Sequence, residues 1–190
     1  MLTNRSAVIP LAPTFDGTAR ALHWSLAALL AVQFVTAALL PDIKVDTPLQ
    51  PIITVHFSIG IVIAVVMAIR LVHRWLHTVP VAPRTAPPWE RNLARATHRT
   101  FYAVLLAGPF LGWASASAHG IPVHLFGLVH LRALVPRKAE WGFVAGDVHG
   151  YGMWALLALV AVHALVALNH HFVRRDEVLQ RILPGNSSIR

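Results

Sequence analysis

The chain has 190 residues, 56% of them hydrophobic, and a mean hydropathy of +0.59, too apolar for an ordinary water-soluble domain and suited to one compact membrane domain. It has no cysteine, which excludes disulfides, iron–sulfur ligation, thiolate zinc sites and haem attached covalently through C-x-x-C-H. The formal charge of +8 is parcelled between apolar runs, so it reads as membrane topology rather than as a nucleic-acid surface.

Residues 1–20, mixed in composition, read as a cytoplasmic tail. They make a poor signal peptide, because the apolar run starts only after Arg20, is long enough to span, and is followed by three more. The first span is predicted from Ala21 to Leu40, closed by Pro41 and Asp42. The second runs from Ile52 to Val72, and a basic, proline-rich loop then covers His73 to Arg99. The third runs from Thr100 to Ala118 and carries Pro109, a residue that kinks helices. His119 to Gly146 is too long for a tight turn, and its apolar piece IPVHLFGLVHL is too short to cross, so an interfacial segment is expected there. The fourth span is Val148 to Val173. The fold class is therefore all-α: an integral membrane four-helix bundle over residues 21–175, with a tail at 1–20 and another at 176–190.

Four spans put both termini on one side. That side carries Arg5, Arg20, Arg70, Arg74, Arg84, Arg91, Arg95, Arg99, Arg174, Arg175, Arg181 and Arg190, against Lys44, Arg132, Arg137 and Lys138 on the other. Twelve against four puts the termini in the cytoplasm. Trp24, Trp75, Trp89 and Trp141 fall near span ends, as an aromatic belt requires.

Twelve histidines are the chemical signal. His149 and His163 lie fourteen residues apart in the last span, and at about 100° per residue they return to within roughly 40° of one face, about 21 Å apart along the axis. The topology then pairs them by depth with histidines of other spans. His56 matches His149 near the outer face, and His23 matches His163 near the inner face. Ionisable residues at membrane depth are costly and mark functional sites, and a pair of neutral imidazoles suits the two axial positions of a haem iron. Gly60, Gly150 and Gly152 lie beside these ligands and would admit a porphyrin close to the backbone. The competing reading is four hydrogen-bonded core histidines. The lack of carboxylates in the spans argues against a proton relay. His98 is either a rival inner ligand or an interfacial histidine. His170 and His171 end the fourth span, where one of them either contacts a quinone carbonyl or snorkels to the headgroups. His73 and His77 read as basic flank residues, His119, His124 and His130 as solvated, and Met67 and Met153 as packing.

The motifs R-x-L-H-W at Arg20–Trp24, V-H-F-S-I-G at Val55–Gly60, A-T-H-R-T-F-Y at Ala96–Tyr102 and G-P-F-L-G-W at Gly108–Trp113, with the D-V-H…V-H…N-H-H series of the last span, resemble the bacterial cytochrome b-561 family, which includes superoxide oxidase. The resemblance covers about Phe15 to Gly185. It implies two non-covalent b haems on His23/His163 and His56/His149, electron exchange with ubiquinone, and a quinone site near the inner haem to which His170 and Arg20 correspond. It also implies superoxide as electron donor on the outer side, where Arg132, Arg137 and Lys138 would steer the anion.

The expected function is therefore that of an inner-membrane di-haem b protein passing electrons to ubiquinone, with superoxide:quinone oxidoreductase activity. Lipid and quinone are its expected partners, and nucleic acid is not. One alternative is a membrane anchor and electron conduit for a separate periplasmic redox protein. A haem-free metal or proton transporter is the alternative of another class.

Overall fold

A computed structural model describes residues 14–77 and 87–184. The tail before residue 14, much of the basic loop and the last residues lie outside these ranges, and with them Arg5, Arg84 and Arg190 of the charge comparison.

Four long helices follow in chain order: α1 (Gly17–Ala38), α2 (Pro51–Leu76), α3 (Pro88–Ala118) and α4 (Glu140–Phe172). All four are long and apolar enough to cross a membrane, so the expected four-helix membrane bundle is the observed one. Their starts follow local chemistry. Asp16 caps α1 by accepting the Ala19 N–H at 2.8 Å, and α2 and α3 begin with Pro51 and Pro88, which lack the N–H that a first turn leaves unpaired.

All four helices begin earlier than the hydropathy predicts, α3 and α4 by two turns or more. α3 starts at Pro88 rather than Thr100, and α4 at Glu140 rather than Val148. Hydropathy marks the stretch that lipid covers, whereas hydrogen bonding carries a helix on into water. At 33 residues α4 is about 50 Å long, well beyond a hydrocarbon core of about 30 Å. Arg91, Arg95 and Arg99 therefore stand on the first turns of α3 rather than in a loop.

The stretch between α3 and α4 also differs from expectation. Its apolar piece forms a hairpin of β1 (Val123–Leu125) and β2 (Val129–Leu131). Phe126 and Gly127 both have positive φ, 52° and 72°, and Leu128 N–H returns to Leu125 O, which is a type I′ turn. Ser58 of α2 is fully buried beneath it and accepts the Phe126 N–H at 2.7 Å. This end of the bundle is called the hairpin end, and the opposite one, where residues 14 and 184 lie, the terminal end.

Halfway along the bundle, Leu26, Ile63, Met67, Leu105 and Leu156 bury one another in a core to which all four helices contribute. Met67 is 4% exposed there, so its packing role is as expected. Backbone packing is uneven. α3 lies on α4, α1 on α2, and α2 on α3, but α4 makes no close backbone approach to α1 or α2.

Candidate cofactor sites

Four histidines face one another in pairs between α4 and its neighbours α1 and α2, at two levels. At the hairpin end, His56 of α2 and His149 of α4 have ring centres 6.4 Å apart and planes at 88°. At the terminal end, His23 of α1 and His163 of α4 are also 6.4 Å apart, with planes at 68°. The pairs anticipated from depth are thus brought together, on helix pairs whose backbones stay apart.

The hairpin-end pair is held by hydrogen bonds. Thr36 Oγ1 donates to Gln33 O at 2.8 Å, so its lone pair receives the His56 Nδ1–H at 3.2 Å. That leaves His56 Nε2 as the basic nitrogen, and the Gln33 side-chain amide donates to it at 3.2 Å while also reaching His56 O at 3.1 Å. His149 Nδ1–H donates to Gly108 O at 2.9 Å, which again frees Nε2. A carbonyl or hydroxyl behind the second ring nitrogen is the usual support of a metal-binding histidine. Gly112 lies against the His149 ring, since a Cβ there would be 3.2 Å from Cε1. Gln33 Oε1 and Trp113 Nε1 are buried at this end without a partner.

The terminal-end pair is held by rings. Trp24 packs edge-on to His23 at 5.5 Å, and Phe101 edge-on to His163 at 5.4 Å. Among the described residues, no ring nitrogen of His23 or His163 has a hydrogen-bond partner. His98 stands closer to His163 than His23 does, at 5.7 Å, and its Nδ1–H donates to Ala94 O at 2.7 Å. Three imidazoles therefore meet at this level.

His170 and Arg20 meet the segment that follows α4. His170, half-buried, donates its Nδ1–H to Asp176 Oδ2 at 2.5 Å. Burial alone would raise the Asp176 carboxyl, but the His170 hydrogen bond, the Val178 amide and the nearby positive charges of His170 and Arg174 hold it below the usual carboxylate range. Arg20 reaches Leu183 O at 3.4 Å and Trp24 Nε1 donates to Ile182 O at 2.8 Å, so residues 173–184 strap across the start of α1. His171 Nδ1 is buried without a partner. At the other end Arg137 is paired with Asp46, which offsets one of the charges expected to steer an anion.

Sequence reasoning named the four paired histidines and three glycines beside them. A Cβ at Gly150 or Gly152 would meet nothing within 4 Å, so both stand in open space, and the glycine pressed on His149 is Gly112, which sequence reasoning did not name. It also passed over Gln33, whose signal was available: it is the one amide in the first span.

The family profile of prokaryotic cytochrome b561 matches residues 14–185. Cytochrome b561 homolog 2 of Escherichia coli (strain K12) is 32% identical over 133 residues, 70% of this chain and 71% of its own length. Probable superoxide oxidase CybB of Yersinia pestis is 32% identical over 137 residues, 68% of this chain and 73% of that one. Cytochrome b561 homolog 1 of Escherichia coli (strain K12) is 29% identical over 131 residues, 68% and 73% respectively. The chain belongs to the prokaryotic cytochrome b561 family, and as such is a multi-pass membrane electron-transfer protein of a family that implies haem b.

Proposed function

We propose that this protein is a di-haem b superoxide:quinone oxidoreductase of the bacterial inner membrane, with its hairpin end in the periplasm and both termini in the cytoplasm. The observation that carries it is the spacing of the two imidazole pairs. An imidazole nitrogen binds a first-row metal at about 2.0 Å and a ring centre lies about 1.1 Å behind it, so two rings on opposite sides of one metal have centres about 6.2 Å apart. Both pairs are at 6.4 Å. The backbone of α4 stays apart from those of α1 and α2, and the unpartnered Trp113 Nε1–H offers a donor for the polar edge of a flat cofactor.

When bound, each haem supplies reversible one-electron chemistry. The chain supplies the rest. Thr36 and Gly108 fix the ring tautomers at the outer level so that Nε2 of His56 and of His149 is the coordinating atom. Gln33 yields that nitrogen of His56 while keeping its bond to His56 O. The central core keeps water out between the levels. His23 and His163 hold the inner haem. At the inner end His170 offers its Nε2 to a quinone carbonyl while Asp176 holds its Nδ1–H, and Arg20 reaches the same segment after α4 at Leu183 O. Superoxide approaches at the outer end, where Arg132 and Lys138 carry the attracting charge.

The test is an absorbance trace of the purified, oxidised protein given a pulse of superoxide. Fast appearance of reduced b-haem bands, discharged by added ubiquinone, is expected. Bands that respond to dithionite and ignore superoxide would remove the oxidase activity and leave a conduit for a separate periplasmic redox protein. Absence of haem bands after haem supplementation would refute the reading as a whole.

A further inference from the structure

The hairpin holds a third pair of imidazoles with a different spacing. His124 and His130 are directly opposite each other on the antiparallel strands β1 and β2, so their side chains leave the same face. Their ring centres are 5.0 Å apart and their planes are tilted by 45°. With the same metal–nitrogen reach as above, two imidazoles at a tetrahedral angle on one metal have centres about 5 Å apart, against about 6.2 Å on opposite sides. His124 and His130 therefore have the spacing of neighbouring ligands, not of axial ones. Among the described residues, neither ring has a hydrogen-bond partner to compete for its nitrogens.

The pair stands on a rigid support. Ser58 Oγ accepts the Phe126 N–H at 2.7 Å, donates to Thr54 O at 2.7 Å, and has His124 O at 3.3 Å. Val123, one residue before His124, is 3% exposed in a core shared with Ile53 and Ala116. Little ordering is left for a bound ion to impose. The other adjacent pair, His73 and His77, lacks these properties. Its rings are stacked 4.1 Å apart and 10° from parallel, His77 Nδ1–H is given to His73 O, His73 Nε2 is 3.5 Å from Asp16 Oδ1, and Arg70 and Arg74 line the same pocket. Stacked rings point their nitrogens side by side, the one carboxylate there is already paired with His73, and two guanidinium groups outnumber it.

We propose that His124 and His130 form a two-imidazole site for a divalent d-block cation, Zn2+ or Cu2+, on the hairpin. Imidazole suits both ions, and the chain has no thiolate to compete for them. No cluster of three donor side chains exists among the described residues, so water fills the other positions and the ion is exchangeable. Ser58 lies two residues beyond His56 on α2, which places the ion at the same end as the His56/His149 level.

The experiment is equilibrium dialysis of the full-length protein, free of any affinity tag, against Zn2+ alone, on wild type and on His124→Gln, His130→Gln and His73→Gln. Wild type and His73→Gln are expected to hold one zinc more per chain than His124→Gln or His130→Gln. Cu2+ in the wild type is expected to show electron paramagnetic resonance coupling to two nitrogens, and to lose it in either hairpin variant. Unchanged far-ultraviolet circular dichroism shows that the variants have kept the bundle. Equal zinc in all four proteins, or loss in only one of the two hairpin variants, would overturn the proposal.

Discussion

At the hairpin end, His56 and His149 are each backed by an oxygen, the Thr36 hydroxyl and the Gly108 carbonyl. At the terminal end, His23 and His163 have the same separation but are framed by Trp24, Phe101 and a third imidazole, His98. The difference separates two ways of placing a ligand. An oxygen behind Nδ1 fixes tautomer and orientation before anything binds, whereas edge-on rings fix position and leave the tautomer open. The hairpin-end level should thus depend on single polar atoms, and the terminal-end level on packing.

The bluntest way to break the comparison is to remove one ligand from each level. His149→Ala is expected to lose the outer haem and keep the inner one, and His163→Ala the reverse, each halving the b-haem absorbance per chain; loss of neither would refute the pairing. Gly112→Ala presses a methyl group to 3.2 Å from the His149 ring, and overpacking of this kind costs about 1–3 kcal/mol. It should weaken haem retention at the outer level alone, measured by haem loss to apomyoglobin. Thr36→Val keeps the shape and removes the oxygen behind His56, and loss of such a support lowers metal affinity by about 10-fold or more. The same assay reads it, and an unaltered rate would show that the Thr36 contact is incidental. His98→Ala sharpens the inner side: both haems should remain, with only the inner one's spectrum and potential shifted. Loss of the inner haem would make His98 the ligand in place of His23.

The smallest effect lies outside the bundle. Asp176 has a lowered carboxyl pKa in the folded chain. Its tie to His170 and Val178 is therefore present above the unfolded carboxylate value and is lost as pH falls through the lower folded value. Acid should loosen residues 173–184 before it touches the bundle, read as a lower hydrogen-exchange protection factor at the Val178 amide. Asp176→Asn should remove that pH dependence.

Much of this was legible in the sequence because a membrane simplifies the problem. Lipid demands continuous apolar runs, so the four helices appear in hydropathy, and the few histidines inside the runs stand out against it. The ends of the helices were hidden for the same reason: past the lipid, α3 continues to Pro88 and α4 to Glu140 through sequence that hydropathy counts as loop. The hairpin was missed because its runs of three residues are too short for alternation to register, and its I′ turn uses Phe126 where Asn or Gly is the familiar signal. Gly112 escaped notice because helix α4 presses His149 on it from 37 positions away in the chain, a contact that no spacing rule reaches.

The central claim is that each imidazole pair holds one haem. The most direct measurement is the ratio of b haem to protein in the purified wild-type chain, by pyridine haemochrome against amino-acid analysis. Two haems per chain are expected. A ratio of one would leave a level of matched histidines without its cofactor and would contradict the claim.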